Sequence, residues 1–282
     1  MKYVILGGVA AGTKAAAKLK RCDRNAQVKV YTKGGDISYA GCGLPYYIGG
    51  DIPTREALIV NTPTRYSGLT GVEVFTGCEA VGIDSAGKTV SFKKASGGTF
   101  TEDYDKLIIA TGAVPFVPPV EGRDLPGVFC VRTPDDAVNV RAYAQEQKCR
   151  KAVVCGAGFI GLEAAENLMA LGLEVTTIDA APQIMPNAFD EEMADYARRQ
   201  LKAAGMRVLT SAALERIEGN GKAEKVITNN GTFAADLVIM AIGVRPATAF
   251  LNDSGIEMFK GTILVDSRMK TNLPDVYAVG DC

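Results

Sequence analysis

The 282-residue sequence contains no histidine. This removes the commonest acid/base group and metal ligand, and it excludes a Ser–His–Asp hydrolase. The seven cysteines are scattered and form no CxxC pair, so neither a disulfide framework nor a zinc site is expected, and a reducing cytoplasm fits this usage. No run approaches the roughly eighteen apolar residues of a membrane span. There is no long basic run and the net charge is -1, which argues against nucleic acid or an anionic membrane as partner. Residues 1–8 enter a strand at once, so no signal peptide is expected ahead of the fold. What is present is ordinary for a folded chain, with 47% hydrophobic and 22% charged residues. The length suits two α/β domains better than one core.

Two segments carry a strand–glycine turn–helix–strand pattern. In the first, the apolar run Val4–Leu6 leads into Gly7, Gly8, Val9, Ala10, Ala11 and Gly12, then an alanine-rich helix from Thr13 to Arg21 and a strand Val28–Tyr31. This reads as a dinucleotide-binding unit with a pyrophosphate at the helix N-terminus. Val9 replaces the second glycine of the GxGxxG pattern, and Thr32 stands where an acid usually meets the ribose. A bare helix-packing turn is the alternative. In the second, Ala152–Cys155 leads into Gly156, Gly158 and Gly161, a helix to about Leu171, and a strand Val175–Ile178 followed by Asp179. All three glycines are present, and Asp179 falls twenty-three residues after Gly156. An acid there accepts hydrogen bonds from an unphosphorylated ribose and repels a 2′-phosphate, favouring NADH over NADPH.

Between these patterns, residues 72–100 alternate apolar and polar around turn signals, which predicts small antiparallel strands. The strand into Gly112 and the prolines after it mark a domain boundary, and the strand into Gly243 repeats that arrangement.

One stretch, Ser38–Gly50, belongs to neither pattern. It sets Cys42 between Gly41 and Gly43 and follows with Pro45, Tyr46 and Tyr47. The glycines would let a flat ligand approach the backbone, and a helix starting near Gly43 would favour a thiolate. A small buried hydrophobe is the plain alternative. Two nucleotide units and a nearby thiol together suggest electron relay from nicotinamide through a flavin to sulfur.

From end to end the chain resembles the flavin- and nicotinamide-dependent disulfide reductases, and within them the single-cysteine branch. That branch includes coenzyme A-disulfide reductase, NADH-dependent persulfide reductase, NADH oxidase and NADH peroxidase. The matching pieces are Gly7–Gly12, Ser38–Gly50, the 110–112 turn with Pro115, Gly156–Glu163, 241–246 and 277–281. The resemblance implies two Rossmann-like three-layer α/β domains, an FAD domain from residues 1–112 and 247–282 with an NADH domain of residues 113–246 inserted in it. It implies FAD at Gly7, Gly8, Val9, Ala10, Ala11, Gly12, Thr32, Lys33, Ala110, Thr111, Gly112, Gly280 and Asp281. NADH would lie against Gly156, Gly158, Phe159, Ile160, Gly161, Glu163, Asp179 and Gly243. Phe159 would cover the flavin until nicotinamide displaces it, with a core phenylalanine as the alternative. Cys42 would be the redox-active residue, and the nearest following cysteine, Cys78, is too far along the chain for the paired-cysteine subclass.

The same resemblance implies that Lys14, Lys18, Arg21 and Ser38 hold coenzyme A. The three cations share one helical face, which equally describes a solvated surface. Gly41 and Thr70 depart from the asparagine and lysine usual there, and Ala10 replaces the histidine usual in the oxidases and peroxidases. The implied activity is NAD(P)H-dependent, FAD-mediated reduction of a small disulfide or persulfide by Cys42. Its alternatives are an NADH oxidase and a nucleotide-binding fragment without turnover. The family continues into a C-terminal dimerisation domain, so a truncated chain from a homodimeric parent is expected.

Overall fold

A computed structural model describes all residues from 1 to 282. Six α-helices form: α1 (Ala10–Cys22), α2 (Leu44–Gly49), α3 (Pro63–Thr70), α4 (Pro134–Glu146), α5 (Phe159–Ala170) and α6 (Glu191–Ala203). Three of their starts are set by local chemistry. Thr62, Thr133 and Asp190 accept hydrogen bonds from backbone N–H groups in the first turns of α3, α4 and α6. Helices α1 and α5 lack a side-chain cap, and each follows a glycine turn. Their first N–H groups are left for another acceptor.

The chain packs into two compact units, one of residues 1–39, 59–114 and 245–282, the other of residues 40–58 and 115–244. The first holds a parallel sheet in the order Val276–Ala278, Lys106–Ile109, Lys2–Leu6, Gln27–Tyr31, Glu73–Phe75. The second holds one in the order Arg207–Leu209, Glu174–Ile178, Lys151–Cys155, Leu237–Met240, Val128–Phe129. In each, the strand leading into the glycine turn is central and the strand order reverses beside it. That reversal is where α/β sheets bind ligands, beyond the C-terminal strand ends.

Each unit also inserts a three-stranded antiparallel sheet into its chain, after Glu73–Phe75 in the first and after Arg207–Leu209 in the second. These are Cys78–Asp84, Thr89–Lys94 and Thr99–Asp103 in one, and Leu214–Glu218, Lys225–Thr228 and Gly231–Ala234 in the other. The period-two alternation of a strand then decides the layers. Val4 and Leu6 face Val90 and Phe92 of the antiparallel sheet, whereas Ile5 faces Ala16 of α1. In the second unit Val153 and Cys155 face Ile217 and Val226, while Ala152 and Val154 face Ala164 and Leu168 of α5. The result is two three-layer Rossmann-like α/β units, with the 115–244 segment inserted between stretches of the first. No helix is long and apolar enough to cross a membrane, and no group of three or more Cys, Asp or Glu side chains could hold a metal ion.

Residues 40–58, expected within the first domain, pack in the second unit instead. Leu44, Ile48 and Leu58 are buried there among Ala137 and Val140 of α4 and Leu168 of α5. Burying each such side chain contributes roughly 1.5–3 kcal/mol. That gain sets the placement, and nothing in the local pattern says which sheet a short helix will cover.

In the first unit a charged cluster ties the two sheets together. Glu102 accepts from the Lys29 ammonium at 2.8 Å and from the Tyr31 hydroxyl at 2.7 Å, and it pairs with Lys2. Tyr31 in turn stacks on Phe75 with ring centroids 4.8 Å apart. Burial alone would raise the Glu102 carboxyl, but the hydrogen bonds from Lys2, Lys29 and Tyr31 outweigh it and hold the group at about 2. Because its folded value is depressed, its stabilisation is complete above its ordinary 4.5 and is lost as pH falls toward about 2. Glu102→Gln is therefore expected to cost about 1–3 kcal/mol in urea unfolding at neutral pH. The gap to wild type should shrink as unfolding is repeated between 4.5 and about 2.

Candidate functional site

The two glycine turns share one construction. The strand Lys2–Leu6 ends at Gly7, whose φ of 111° is open to glycine and costly for any other residue. A Cβ on Gly7 would stand 2.0 Å from the Ala110 carbonyl oxygen, and one on Gly12 would stand 1.9 Å from that of Gly7. In the second unit Gly156 has φ of 112°. Its Cβ would lie 2.2 Å from the Ala241 oxygen, and one on Gly161 would lie 1.9 Å from the Gly156 oxygen. Backbone therefore touches backbone between strand, turn and helix in both units. Gly158 differs, because a Cβ there would meet nothing within 4 Å. It leaves open space at the start of α5, at the position that Val9 fills before α1.

Around the first turn the parallel sheet gathers residues that are remote in sequence. Ala110 donates to the Leu6 carbonyl at 2.8 Å, and Val279 donates to Ile109 at 2.9 Å. A Cβ on Gly280 would stand 3.2 Å from that of Ala11, and Asp281 follows it on the surface. Gly7–Gly12, Ala110–Gly112 and Gly280–Asp281 thus share one end of the sheet. The Thr111 hydroxyl is buried there with no hydrogen-bond partner, an unmet polar group of the kind a ligand satisfies. Thr32 is buried, with side-chain carbons 3.3 Å from where a Gly8 Cβ would lie, while Lys33 reaches out to Glu79 at 2.9 Å. A close-packed glycine turn, an uncapped helix start and an orphaned hydroxyl fit a dinucleotide.

Around the second turn the Asp179 carboxylate accepts from Ala157 N–H at 2.6 Å and from Ala181 N–H at 2.8 Å. It braces the glycine turn and the following loop, and each oxygen keeps a second lone pair. Phe159 and Ile160 are 59% and 48% exposed on the first turn of α5, which removes the alternative of a core phenylalanine. Glu163 is half-buried one turn further on, and the Gly243 carbonyl accepts from Phe116 at 2.9 Å. This cradle also fits a dinucleotide.

Cys42 is exposed and free, on a 3₁₀ turn Gly41–Gly43 that runs directly into α2. The buried-hydrophobe alternative fails. Cys78 is buried in the first unit's core against Phe92 and Tyr104. Ser38 takes an unusual φ of 48°, held by its N–H on the Gly8 carbonyl at 2.9 Å and its carbonyl on the Val60 N–H at 3.0 Å. Lys14, Lys18 and Arg21 are all exposed on α1, and none enters an ion pair, whereas Lys20 folds back onto the Arg24 and Ala26 carbonyls at 2.9 Å.

Two groups that hold the segment following Cys42 carry no local signal. Arg141 of α4 donates to the Tyr47 carbonyl at 3.2 Å and lies 5.0 Å over the Tyr47 ring. Arg55 pairs with Asp135 at 2.7 Å. Both fasten the segment after Cys42 to α4, across 80 and 94 residues of sequence.

The glycines make opposite predictions under substitution. Gly161→Ala must displace backbone and is expected to cost 2 kcal/mol or more, on the order of other overpacked sites. Gly158→Ala has room and an extended backbone, so its thermal midpoint should stay near that of the wild type. Its methyl group would stand in the open space before α5, and NAD(P)H affinity by fluorescence titration is expected to fall about ten-fold or more.

The chain is 38% identical over 282 residues to an NADH oxidase of Methanocaldococcus jannaschii, covering 100% of this chain and 63% of that protein. It is 34% identical over 281 residues to an NAD(P)H coenzyme A polysulfide/persulfide reductase of Pyrococcus horikoshii, covering 99% of this chain and 62% of the other. The solved structure of an NAD-dependent persulfide reductase from A. fulgidus superposes with a TM-score of 0.95 at 35% identity, covering 100% of this chain and 53% of that one. The chain thus spans less than two thirds of the length of these relatives. The family model for pyridine nucleotide-disulphide oxidoreductases matches residues 1–282, and the chain belongs to that family.

Proposed function

We propose that this chain is the nucleotide-binding and thiol-bearing part of an enzyme that uses NADH to reduce a small disulfide or persulfide, with coenzyme A as the carrier thiol. The observation that carries the reading is Cys42, a free exposed thiol between two glycines and seated on helices of a dinucleotide-type unit. The coenzyme A polysulfide/persulfide reductase and the persulfide reductase among the relatives support this class of acceptor.

FAD, when bound, would accept a hydride from NADH and return an electron pair to sulfur. Gly7–Gly12 and the start of α1 would hold its pyrophosphate, and the Thr111 hydroxyl would gain a partner. Asp281 would serve the ribityl or phosphate region, and Thr32 and Lys33 the ribose end. The open space at Gly158 and the start of α5 would take the NADH pyrophosphate. Asp179 would accept from the ribose hydroxyls and disfavour a 2′-phosphate. Phe159, Ile160, Glu163 and Gly243 would lie on the nicotinamide side. On this reading the unit of residues 1–39, 59–114 and 245–282 serves FAD and residues 115–244 serve NADH, in a homodimeric parent.

The Cys42 thiolate would attack one sulfur of the substrate, forming a mixed disulfide or persulfide and expelling one thiolate, which takes up a proton. Two electrons, which FAD would relay from NADH, would then cleave the new S–S bond, restoring the Cys42 thiolate and, with a proton, releasing the second thiol or hydrogen sulfide. Lys14, Lys18 and Arg21 present unpaired cations that suit the phosphates of coenzyme A, with Ser38 beside the thiol segment in sequence.

A second reading, reduction of oxygen, is favoured by the NADH oxidase relative. It would cycle Cys42 through a sulfenic acid. One experiment addresses both. The FAD-loaded protein is titrated anaerobically with NADH, and its visible spectrum is followed. A long-wavelength band on reduction, absent in Cys42→Ser, is the expected result, with NADH oxidation then following coenzyme A disulfide or persulfide. NADH consumption matched by oxygen uptake, with neither acceptor adding to it, would favour the oxidase. A protein that takes up no FAD overturns both.

A further inference from the structure

Helix α5 buries Gly161, Ala164, Ala165, Asn167 and Leu168, so Asn167 is its one buried polar side chain, at 3% exposure. The core that α5 helps to bury is apolar, with Ala164, Ala165, Leu168 and Ile48 among its members. A buried amide in such a place costs desolvation that few hydrogen bonds return. Its amide nitrogen donates to the Glu163 carbonyl at 2.8 Å, four residues back on the same helix. That bond fixes the side chain. It leaves the oxygen facing α2, where a Cβ on Gly49 would lie 2.3 Å from Oδ1, 3.0 Å from Cγ and 3.1 Å from Cβ of Asn167. The amide is a hard wall, and glycine alone can rest against it.

Gly49 is the last residue of α2, and Cys42 sits on the turn that runs into its first residue. A six-residue helix is about 9 Å long, short and stiff enough for its far end to set the near one. Arg141, on the Tyr47 carbonyl and over the Tyr47 ring, stops movement along α4. Asn167 stops the approach to α5. Gly49 and Asn167 lie in the same compact unit, and so does Cys42.

We propose that Asn167 is a positioning residue for Cys42, the stop against which Gly49 comes to rest and which seats the thiol-bearing turn on the nucleotide-binding helix. The role rests on Cys42 being the redox thiol. Asn167 touches neither substrate nor cofactor. Asn167 also lies eight residues beyond Phe159, roughly 12 Å along the axis of α5. One rigid helix would therefore present its N-terminus to the nicotinamide dinucleotide and its second and third turns to the thiol segment.

The test uses the full chain without cofactor and has two readouts. One is amide hydrogen exchange over residues 44–50, and the other is the rate at which iodoacetamide alkylates Cys42, mapped by mass spectrometry. Gly49→Ala is expected to speed that exchange about ten-fold and to change the alkylation rate about three-fold or more, with the amides of the central strand Lys151–Cys155 unaffected. Adding Asn167→Ala removes the two closest atoms and should bring both rates back to within about two-fold of wild type, the non-additivity of a direct contact. Asn167→Ala alone takes away the wall without a collision, and it is expected to speed the same amides about three-fold. It serves where Gly49→Ala does not fold. Failure of the double variant to recover overturns the proposal, as do unchanged rates in Asn167→Ala or acceleration spread evenly over the second unit. The NADH titration of wild type separates the two claims: loss of the Cys42-dependent band there would overturn the thiol reading and leave the exchange pattern unaltered.

Discussion

Everything in this molecule hangs on backbone touching backbone at two glycine turns. The Gly7 and Gly156 turns each press against a carbonyl at the end of the neighbouring parallel strand, Ala110 after Lys106–Ile109 in one and Ala241 after Leu237–Met240 in the other. Each also carries the carbonyl on which the following helix rests, at Gly12 and Gly161. No side chain can enter those contacts, so the strand, the turn and the helix are fixed as a block. Because the fold spends these positions on contact, the first N–H groups of α1 and α5 are left without a side-chain cap and point toward whatever acidic group arrives.

The two units share this scaffold and differ in how they brace it. In the second, Asp179 holds Ala157 and Ala181 with one carboxylate, so the acid that would meet the ribose also builds the loop. In the first, Thr32 offers no such reach. The turn is closed instead by Ser38 donating to Gly8 and by Thr32 exchanging backbone hydrogen bonds with Phe75 and Cys78. Tyr31, immediately before it, is anchored by Glu102, with burial and that bond together pushing its phenol up. A cluster of charges and rings thus supports in the first unit what a single carboxylate supports in the second.

The thiol segment obeys a different constraint. It is too short to make a core of its own, and it is held by what it can bury. Leu44, Ile48 and Leu58 supply the apolar area, Arg141 donates to the Tyr47 carbonyl near the end of α2, and Gly49 sets the spacing. Cys42 is left exposed at the other end of this short helix. The thiol is accessible because its supports lie behind it.

Much of the fold was legible in the residues themselves, and for local reasons. Glycines at 7, 12, 156 and 161 and the apolar runs that lead into them act within a few residues of where they stand. Both strand–turn–helix units and the first antiparallel sheet follow from such signals, whereas the insertion of one domain in the other and the grouping of Gly7–Gly12 with residues 110–112 come from the family resemblance. Other features have no local signature. The seat of residues 40–58 in the second unit, the clamp of Arg141 on Tyr47 and the meeting of Gly49 with Asn167 all join elements far apart in the chain. The exposure of Phe159 and the unpartnered Thr111 hydroxyl belong with them. By itself the sequence determined the two strand–turn–helix units, which turns must be glycine and which cysteine stands between two of them. Only the tertiary structure decided which core those residues join and how closely they meet, because burial and clearance depend on partners that no local pattern names.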